Sequence, residues 1–259
     1  MTFERVTIVT HHSNPRCARL EDELCEWLGQ RRVSVVEEAP DLVIAIGGDG
    51  TVLRAAQSAH AADVPLLGIN FGTLGYLTEV DSGDELGALD KVLSGSFETE
   101  DRMMLQCHDG GVYVGLNEVL VERSSPHRLV RLEVSIGGER LAAFNADGII
   151  VATPTGSTAY ALSAGGPIVD PRAECLIVVP VSPHMIFSRP FVISPDETVE
   201  ITVPKGGQQA ALSLDGAMGT DLAPGTRVVA RRHPRPLKMV RLSGPGFLER
   251  LRTKLQLPG

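Results

Sequence analysis

Aromatic residues make up only 4% of the 259-residue chain, with one tryptophan and three tyrosines. A core must therefore be built from Val, Leu, Ile and Ala. Hydrophobic residues at 43% and charged residues at 22% are the proportions of a globular chain and exclude intrinsic disorder as the main state. Positive charge is in deficit. The 24 Lys and Arg against 32 Asp and Glu leave a formal net charge of −8, which argues against a nucleic-acid or anionic-membrane partner, since either needs a basic face. Cysteine is sparse. Cys17, Cys25, Cys107 and Cys175 form no CxxC pair and no metal spacing with histidine, so they read as reduced core or surface thiols of a reducing compartment. No run approaches the ~18 apolar residues of a membrane span. Glu4 and Arg5 precede a short apolar run, unlike a secretory signal. These absences predict a soluble, cytoplasmic protein. Repeats and low-complexity segments are also lacking.

Glycine (27) and proline (17) are plentiful and predict many turns. A chain of this length buries roughly 70–75% of its unfolded surface and makes one large domain or two ordinary ones. Its first hundred residues alternate strand and helix signals. Val6–Thr10, Val33–Val36, Leu42–Ile46 and Pro65–Ile69 read as strands. Asn14-Pro15 opens a helix with Cys17, Leu20, Leu24, Trp27 and Leu28 on one stripe, ending near Gly29. Thr51–His60 and Asp84–Leu93 read as further helices. Such alternation predicts an α/β domain with a parallel sheet covered on both faces.

Beyond about residue 98 the pattern becomes strand after strand: Val112–Val121, Leu129–Ile136, Arg140–Asn145, Gly148–Ala152, Leu176–Val181, Thr198–Val203, Ala211–Leu214 and Arg227–Arg231. Ile136-Gly137-Gly138-Glu139 reads as a two-residue hairpin turn. This series predicts a β-rich, sandwich-like domain. Phe247–Leu255, with Phe247, Leu248, Leu251 and Leu255 on one face, predicts a closing amphipathic helix. The expected organisation is 1–98 as the α/β domain, 99–236 as the β-rich domain, and 237–259 as a tail and helix returning to the first.

Three segments are candidates for chemistry. Gly47-Gly48-Asp49-Gly50-Thr51 lies between an apolar strand and a helix, a layout that presents backbone N–H groups and the positive helix end to an anion. A carboxylate there is costly for anion binding alone. It makes sense if Asp49 accepts a proton from an attacking hydroxyl, or positions a metal, beside a phosphoryl group. The loop taken alone also reads as a tight turn with an Asp cap, and Arg54 as either a phosphate contact or a solvated charge. It is neither a Walker A loop nor a GxGxxG fingerprint.

The second segment is Asn117-Glu118 within an apolar strand. The two side chains point to opposite faces. An Asn amide matches a purine edge, and a carboxylate accepts from ribose hydroxyls; an edge-strand polar pair is the plainer alternative. The third runs from Asn145-Ala146-Asp147-Gly148 into Ala152–Pro167, dense in hydroxyls and glycines around Tyr160. Ser157 or Thr158 there is placed to cap a short helix; an ordinary Ser/Gly loop is the alternative. Ser157, His184 and Asp215 make a hydrolase triad only on paper, since no GxSxG elbow is present. His11-His12 reads as a surface pair.

Together these segments resemble the NAD kinase family, which phosphorylates NAD on the 2′-hydroxyl of its adenosine ribose. The resemblance is carried, in order along essentially the whole chain, by IGGDGTVLRAA (46–56), NFGTLGYL (70–77), LNEV (116–119), DGIIVATPTGSTAYALSAGGPIVDP (147–171) and LSLDG (212–216). GGDGT is shared with lipid kinases and phosphofructokinases; the long TPTGSTAYALSAGGP segment together with LNE is specific. The resemblance implies that Asp49 is the general base, with Gly47, Gly48, Gly50, Thr51 and Arg54 on the phosphoryl-donor side. Asp49, Gly50 and Arg54 would also border the NAD. Asn117 and Glu118 would hold its adenosine half. Thr158, Ala159, Tyr160, Ala161, Leu162 and Ser163 would bracket the dinucleotide, and Arg128 and Asn145 occupy ligand-contacting positions of many relatives. Asp147 would reach the nicotinamide ribose side, near a neighbouring subunit, which implies a homodimer or homotetramer. Phe71–Tyr76 would be a flexible lip over the adenosine.

The implied donor is ATP or inorganic polyphosphate, with Mg²⁺. No protein-held metal site is expected. Asn145 stands where many members have Arg or Gly, which leaves the choice between NAD and NADH open, and Ala217 stands where Gln is usual. Two other readings are a lipid or sugar kinase sharing GGDGT, which explains none of Thr153–Pro167, and a non-catalytic dinucleotide-binding sensor, which would gain nothing from Asp49.

Overall fold

The structure, a computed structural model, describes residues 3–11, 13–71, 75–185, 188–242, 244 and 246–257. The chain forms two compact units, Met1–Arg102 with Leu237–Gly259, and Met103–Pro236.

The first unit is built on a six-stranded sheet in the order Ser34–Val35, Arg5–Thr10, Leu42–Gly47, Leu66–Asn70, Leu237–Arg241, Glu98–Arg102. All neighbours are parallel except the last pair. Every residue of Leu42–Gly47 is buried, as a central strand covered on both faces requires. Helix Pro15–Gln30 starts where Asn14 accepts from the Arg16 amide at 3.0 Å and proline takes the first position. Cys17, Leu20, Leu24 and Leu28 face the sheet. The core continues through Ile44, Ile46, Leu67, Ile69 and Leu89. Helix Asp49–Ala62 begins two residues before the expected Thr51, so Asp49 lies in its first turn.

Two strands of this sheet have no signal in the sequence reading, Glu98–Arg102 and Leu237–Arg241. Glu-Thr-Glu-Asp-Arg is polar throughout because it forms the sheet edge. The closing helix occupies Phe247–Leu255 as expected, but its buried face differs. Leu248 is 70% exposed and Leu255 is also exposed, whereas Arg250 and Leu251 are buried. The helix docks through a charged anchor, not through a leucine stripe.

The second unit is a sandwich of two antiparallel six-stranded sheets. One runs in the order Glu139–Ala146, Val130–Ile136, Val199–Thr202, Arg227–Arg232, Leu105–His108, Val112–Gly115. The other runs Phe191–Ile193, Leu176–Val181, Gly148–Ala152, Glu118–Arg123, Ala210–Leu214, Ala217–Leu222. Val119, Val121, Leu132, Val134, Phe144 and Val151 fill the space between them. The outer face of the second sheet is also apolar: Leu120, Ile150, Ile177 and Val179 pack with Ala161. Strands buried on both faces explain why Gly148–Ala152 and Leu176–Val181 read as continuous apolar runs. Gly137 and Gly138 both have positive φ, 59° and 83°, as the expected hairpin turn requires.

One expectation needs correction here. The apolar run Val112–Val121 is not one strand. It breaks into Val112–Gly115 in one sheet and Glu118–Arg123 in the other. The expected strand Arg140–Asn145 extends to Glu139–Ala146, its end paired with Arg131 and Val130. The four cysteines are free thiols, with Cys25 alone exposed.

Candidate active site

Within the first unit, the candidate residues gather at the carboxyl ends of the parallel strands, where open α/β sheets place their ligands. Register sets Thr10 beside Ile46 and Gly47 beside Asn70. Gly47 closes its strand and Gly48 caps the helix that Asp49 begins. A Cβ on Gly47 would stand 2.3 Å from Thr51 Oγ1, so this position admits only glycine without rearrangement. Gly50 is exposed on the first turn, and Thr51 is buried behind it.

Asp49 is held from the neighbouring segment. The Tyr76 amide donates to Oδ2 and the Leu77 amide to Oδ1, both at 3.0 Å. Gly75 makes room for this contact, since its Cβ would lie 2.3 Å from Asp49 Oδ1. Lys254 of the closing helix brings Nζ to 3.6 Å from Oδ2. Arg54, exposed one turn along, donates from Nη2 to Thr10 O at 3.2 Å, so its guanidinium is tied to the strand end and not left free in solvent. Phe71 packs on the apolar core of this unit. The rest of the expected lip includes residues 72–74, which lie outside the described residues. His11 is exposed beside Ser13; His12 lies outside the described residues.

Within the second unit, three motifs distant in sequence meet at Asn117-Glu118. The Asp215 carboxylate accepts from the amides of Leu116 (2.7 Å), Asn117 (2.7 Å) and Glu118 (3.1 Å). The Asp215 amide returns a bond to Glu118 O at 3.0 Å. From the other side, Thr153 donates its amide to Asn117 O and its hydroxyl to Leu116 O, at 2.9 and 2.6 Å. That hydroxyl in turn accepts from the Gly156 amide. Gly156 lies so close that a Cβ would stand 2.1 Å from Asn117 O. Sequence reasoning missed Asp215 and Thr153 in this role. The left-handed φ of 50° at Asp215 followed by 69° at Gly216 makes a turn of Asp-Gly, and the local signal for it is that dipeptide within LSLDG.

Glu118 is buried, and its Oε2 has no partner among the described residues. Burial, reinforced by the Asp215 charge, pushes its carboxyl up to about 7. Burial raises Asp215 as well, against the pull of its three amide donors. A buried carboxyl poised near neutrality with an unfilled oxygen is a natural receiver of a polar ligand group.

The hydroxyls of 155–163 do not cap a helix as expected. Ser157 Oγ is engaged with the backbone of Val169, and Thr158 Oγ1 donates to Thr155 O at 3.3 Å. The cap of the short helix Tyr160–Ser163 is Ala159, without a side-chain bond. Ala161 is fully buried in the outer apolar cluster, so its side chain packs and does not face a ligand. Tyr160 is 41% exposed. Burial first, then the charges of Glu122 and Asp147, raise its hydroxyl, with Arg123 opposing. Asp147 sits where the chain passes between sheets, its Oδ1 2.6 Å from Arg123 Nε. Asn145 is exposed and its carbonyl accepts from His184 N. Leu162 is half-buried, while Ser163 and Arg128 are exposed, Arg128 in the loop before strand Val130–Ile136. The paper triad does not form, because Ser157 and Asp215 are each committed to backbone groups elsewhere.

Residues 32–97 match the family model of the ATP-NAD kinase N-terminal domain, and residues 116–242 that of the ATP-NAD kinase C-terminal domain. The chain belongs to the NAD kinase family. A relative from Geotalea daltonii, named NAD kinase, is 35% identical over 98% of this chain and 99% of its own length. Another from Symbiobacterium thermophilum, also named NAD kinase, is 45% identical over 83% of this chain and 78% of its own. An NAD kinase from Archaeoglobus fulgidus, solved in complex with ATP, superposes with a TM-score of 0.80 at 28% identity, covering 98% of this chain and 99% of that one. Yeast NADH kinase complexed with NADH shares the fold, with a TM-score of 0.90 at 23% identity over 100% of this chain and 89% of that one. The family fold joins an α/β unit with a parallel sheet to an antiparallel β-rich unit, as the alternation of signals along the chain predicts.

Proposed function

We infer that this chain is an enzyme that phosphorylates NAD, with ATP as donor, to give NADP. Family membership across both units carries the reading, and the ATP complex of the Archaeoglobus relative supports the donor. A lipid or sugar kinase is not favoured, since relatives that span nearly the full chain are NAD kinases. A binding-only sensor leaves the held carboxylate of Asp49 without a purpose.

Asp49 is the base in this reading. It takes the proton of the ribose 2′-hydroxyl as that oxygen attacks the terminal phosphoryl group in line, with the glycines of the loop, Thr51 and Arg54 facing the donor. Asn117 and Glu118 hold the adenosine half, and the unfilled Oε2 of Glu118 is the group that receives a ribose or base donor. Tyr160 and the backbone of 158–163 border the dinucleotide, with Asp147, Asn145 and Arg128 toward its far end. Among the described residues no group of three His, Cys, Asp or Glu side chains is placed to hold an ion. A divalent cation, Mg²⁺, would enter with the nucleotide substrate, its oxygen ligands supplied by phosphates and water. Inorganic polyphosphate offers the same terminal phosphoryl chemistry as a second donor. Among the described residues no helix is long and apolar enough to cross a membrane, which fits a cytoplasmic enzyme.

An NADP-forming assay with NAD and either ATP or polyphosphate tests the function directly; NADP from polyphosphate but not from ATP would overturn the donor assignment, and no NADP from either donor the function. We also propose a homodimer or homotetramer with Asp147 near a subunit boundary. Sedimentation across a dilution series should show specific activity and oligomer falling together, delayed by NAD; a fully active monomer would overturn the shared site.

A further inference from the structure

We propose that Lys254, on the closing helix, is a positioning residue for Asp49, fixing which carboxylate oxygen faces the reacting hydroxyl. The proposal rests on Asp49 being the base. It starts from the way the helix is anchored. Arg250, 3% exposed at its side chain, donates to Thr78 O and reaches Glu79 Oε2 at 2.8 Å. Glu79, 2% exposed, also pairs with Arg241 and accepts from the Leu242 amide at 2.8 Å. This buried three-charge cluster satisfies each group several times over, which is what a buried ion pair needs to hold its geometry.

The residues just before Thr78 are those that grip Asp49. Within five residues, Gly75 clears space, Tyr76 and Leu77 donate their amides to the carboxylate, and Thr78 and Glu79 bind the helix. One turn beyond Arg250, on the same helix face, Lys254 closes the loop. Its ammonium stands 3.6 Å from Asp49 Oδ2 and 4.2 Å from the centroid of the Tyr76 ring. The aromatic face restrains the ammonium from one side while the carboxylate attracts it from the other.

The consequence follows from counting acceptor sites. An ionised carboxylate has about two lone-pair directions on each oxygen. Among the described residues Oδ2 takes the Tyr76 amide and faces the ammonium at ion-pair distance, whereas Oδ1 takes the Leu77 amide and has no cation beside it. Oδ1 is the oxygen left open to the hydroxyl proton. Without Lys254 the two oxygens become equivalent and the productive orientation is diluted, a loss felt in turnover and not in NAD binding.

The test is a double-mutant cycle on the whole enzyme. Lys254→Met should lower kcat ~10–100-fold, the scale of a small misplacement of a reacting group, with the KM for NAD within about twofold and the melting temperature unchanged. Lys254→Arg, which keeps charge and reach, should recover most of the lost turnover. In an Asp49→Asn background, Lys254→Met should change kcat less than about twofold, because residues acting through one another are non-additive. Multiplying effects in the cycle, or a raised KM for ATP at unchanged kcat, would overturn the proposal; the second would put the ammonium on the donor phosphates. Should Lys254→Met melt early, Lys254→Gln is read through the same cycle. Near-normal turnover of Asp49→Asn alone would instead remove the base assignment, while a crippled Asp49→Asn beside a fully active Lys254→Met would remove only the role of Lys254.

Discussion

Asp49 in the first unit and Glu118 in the second are both candidate functional carboxyls, and their surroundings differ in kind. Asp49 is gripped by two amides and faced by an ammonium, so its orientation is set and its charge compensated. Asp49→Asn keeps the shape and removes the proposed base; turnover should fall ~10²–10⁴-fold with NAD binding within a few-fold, measured by steady-state kinetics and calorimetry. Glu118 is buried with one oxygen unfilled and titrates near 7. Its folded pKa lies above the ordinary 4.5, so the folded state holds a proton that the unfolded state releases. The sign follows: its contribution to stability is fully present below pH 4.5 and is lost as pH rises through about 7. The difference in melting temperature between Glu118→Gln and the parent should therefore widen in favour of Gln from pH 5 to pH 8. A flat difference would mean that Glu118 titrates normally. Because the ionised carboxylate is the form that accepts from ribose hydroxyls, the KM for NAD should fall as pH rises through 7 in the parent and not in Glu118→Gln. Asn117→Ala should raise the KM for NAD about 5–150-fold, the equivalent of 1–3 kcal/mol for a polar group left unpaired, and leave the KM for ATP nearly unchanged.

At the scale of elements, the site depends on close backbone approach. Gly156 passes Asn117 O where no Cβ fits, and the obstacle is backbone, which cannot swing aside. Gly156→Ala should cost about 1–3 kcal/mol of stability, the usual penalty of forced overpacking, and raise the KM for NAD by moving Asn117. Denaturant unfolding and kinetics on the same sample check both; an unchanged pair would mean the loop has room to retreat. The glycine, the Asn-Glu pair and the hydroxyl-rich loop were legible in the sequence, because each is a local deviation from an apolar pattern. Leu42–Gly47 was legible for a similar reason, being buried on both faces. What was not legible is what acts at long range. Nothing near Asp215 announces that its carboxylate captures three amides some hundred positions away, and that capture is what splits Val112–Val121 into strands of two sheets. Glu98–Arg102 shows no apolar alternation because it is an edge. The closing helix displayed its leucines, but docks by Arg250, whose partner Glu79 lies 171 positions earlier.

For the molecule as a whole, the chain leaves the first unit at Arg102 and re-enters it at Leu237. These two residues are direct partners in the antiparallel pairing of Glu98–Arg102 with Leu237–Arg241. Residues 103–236 are thus inserted at the tip of what would otherwise be a plain hairpin, with their two ends about 5 Å apart at the Cα atoms. The apolar cores agree with this connectivity: one cluster is drawn wholly from residues up to Val92 together with Val240, and another wholly from Leu105 to Ala230. We therefore expect the first unit to fold without the second when Arg102 and Leu237 are joined by Asn-Gly, a dipeptide suited to a two-residue hairpin turn. This shortened chain keeps the buried Arg102 beside Glu100 and the Glu79–Arg241–Arg250 cluster. It should unfold in urea as one cooperative transition, with far-ultraviolet dichroism and Trp27 fluorescence coinciding. Separate transitions, or none, would mean that the first sheet needs the inserted unit to form. The shortened chain keeps Asp49 but loses Asn117 and Glu118. Its fold should therefore survive while binding of NAD is lost, which separates the stability of the phosphoryl-transfer frame from the recognition of its acceptor.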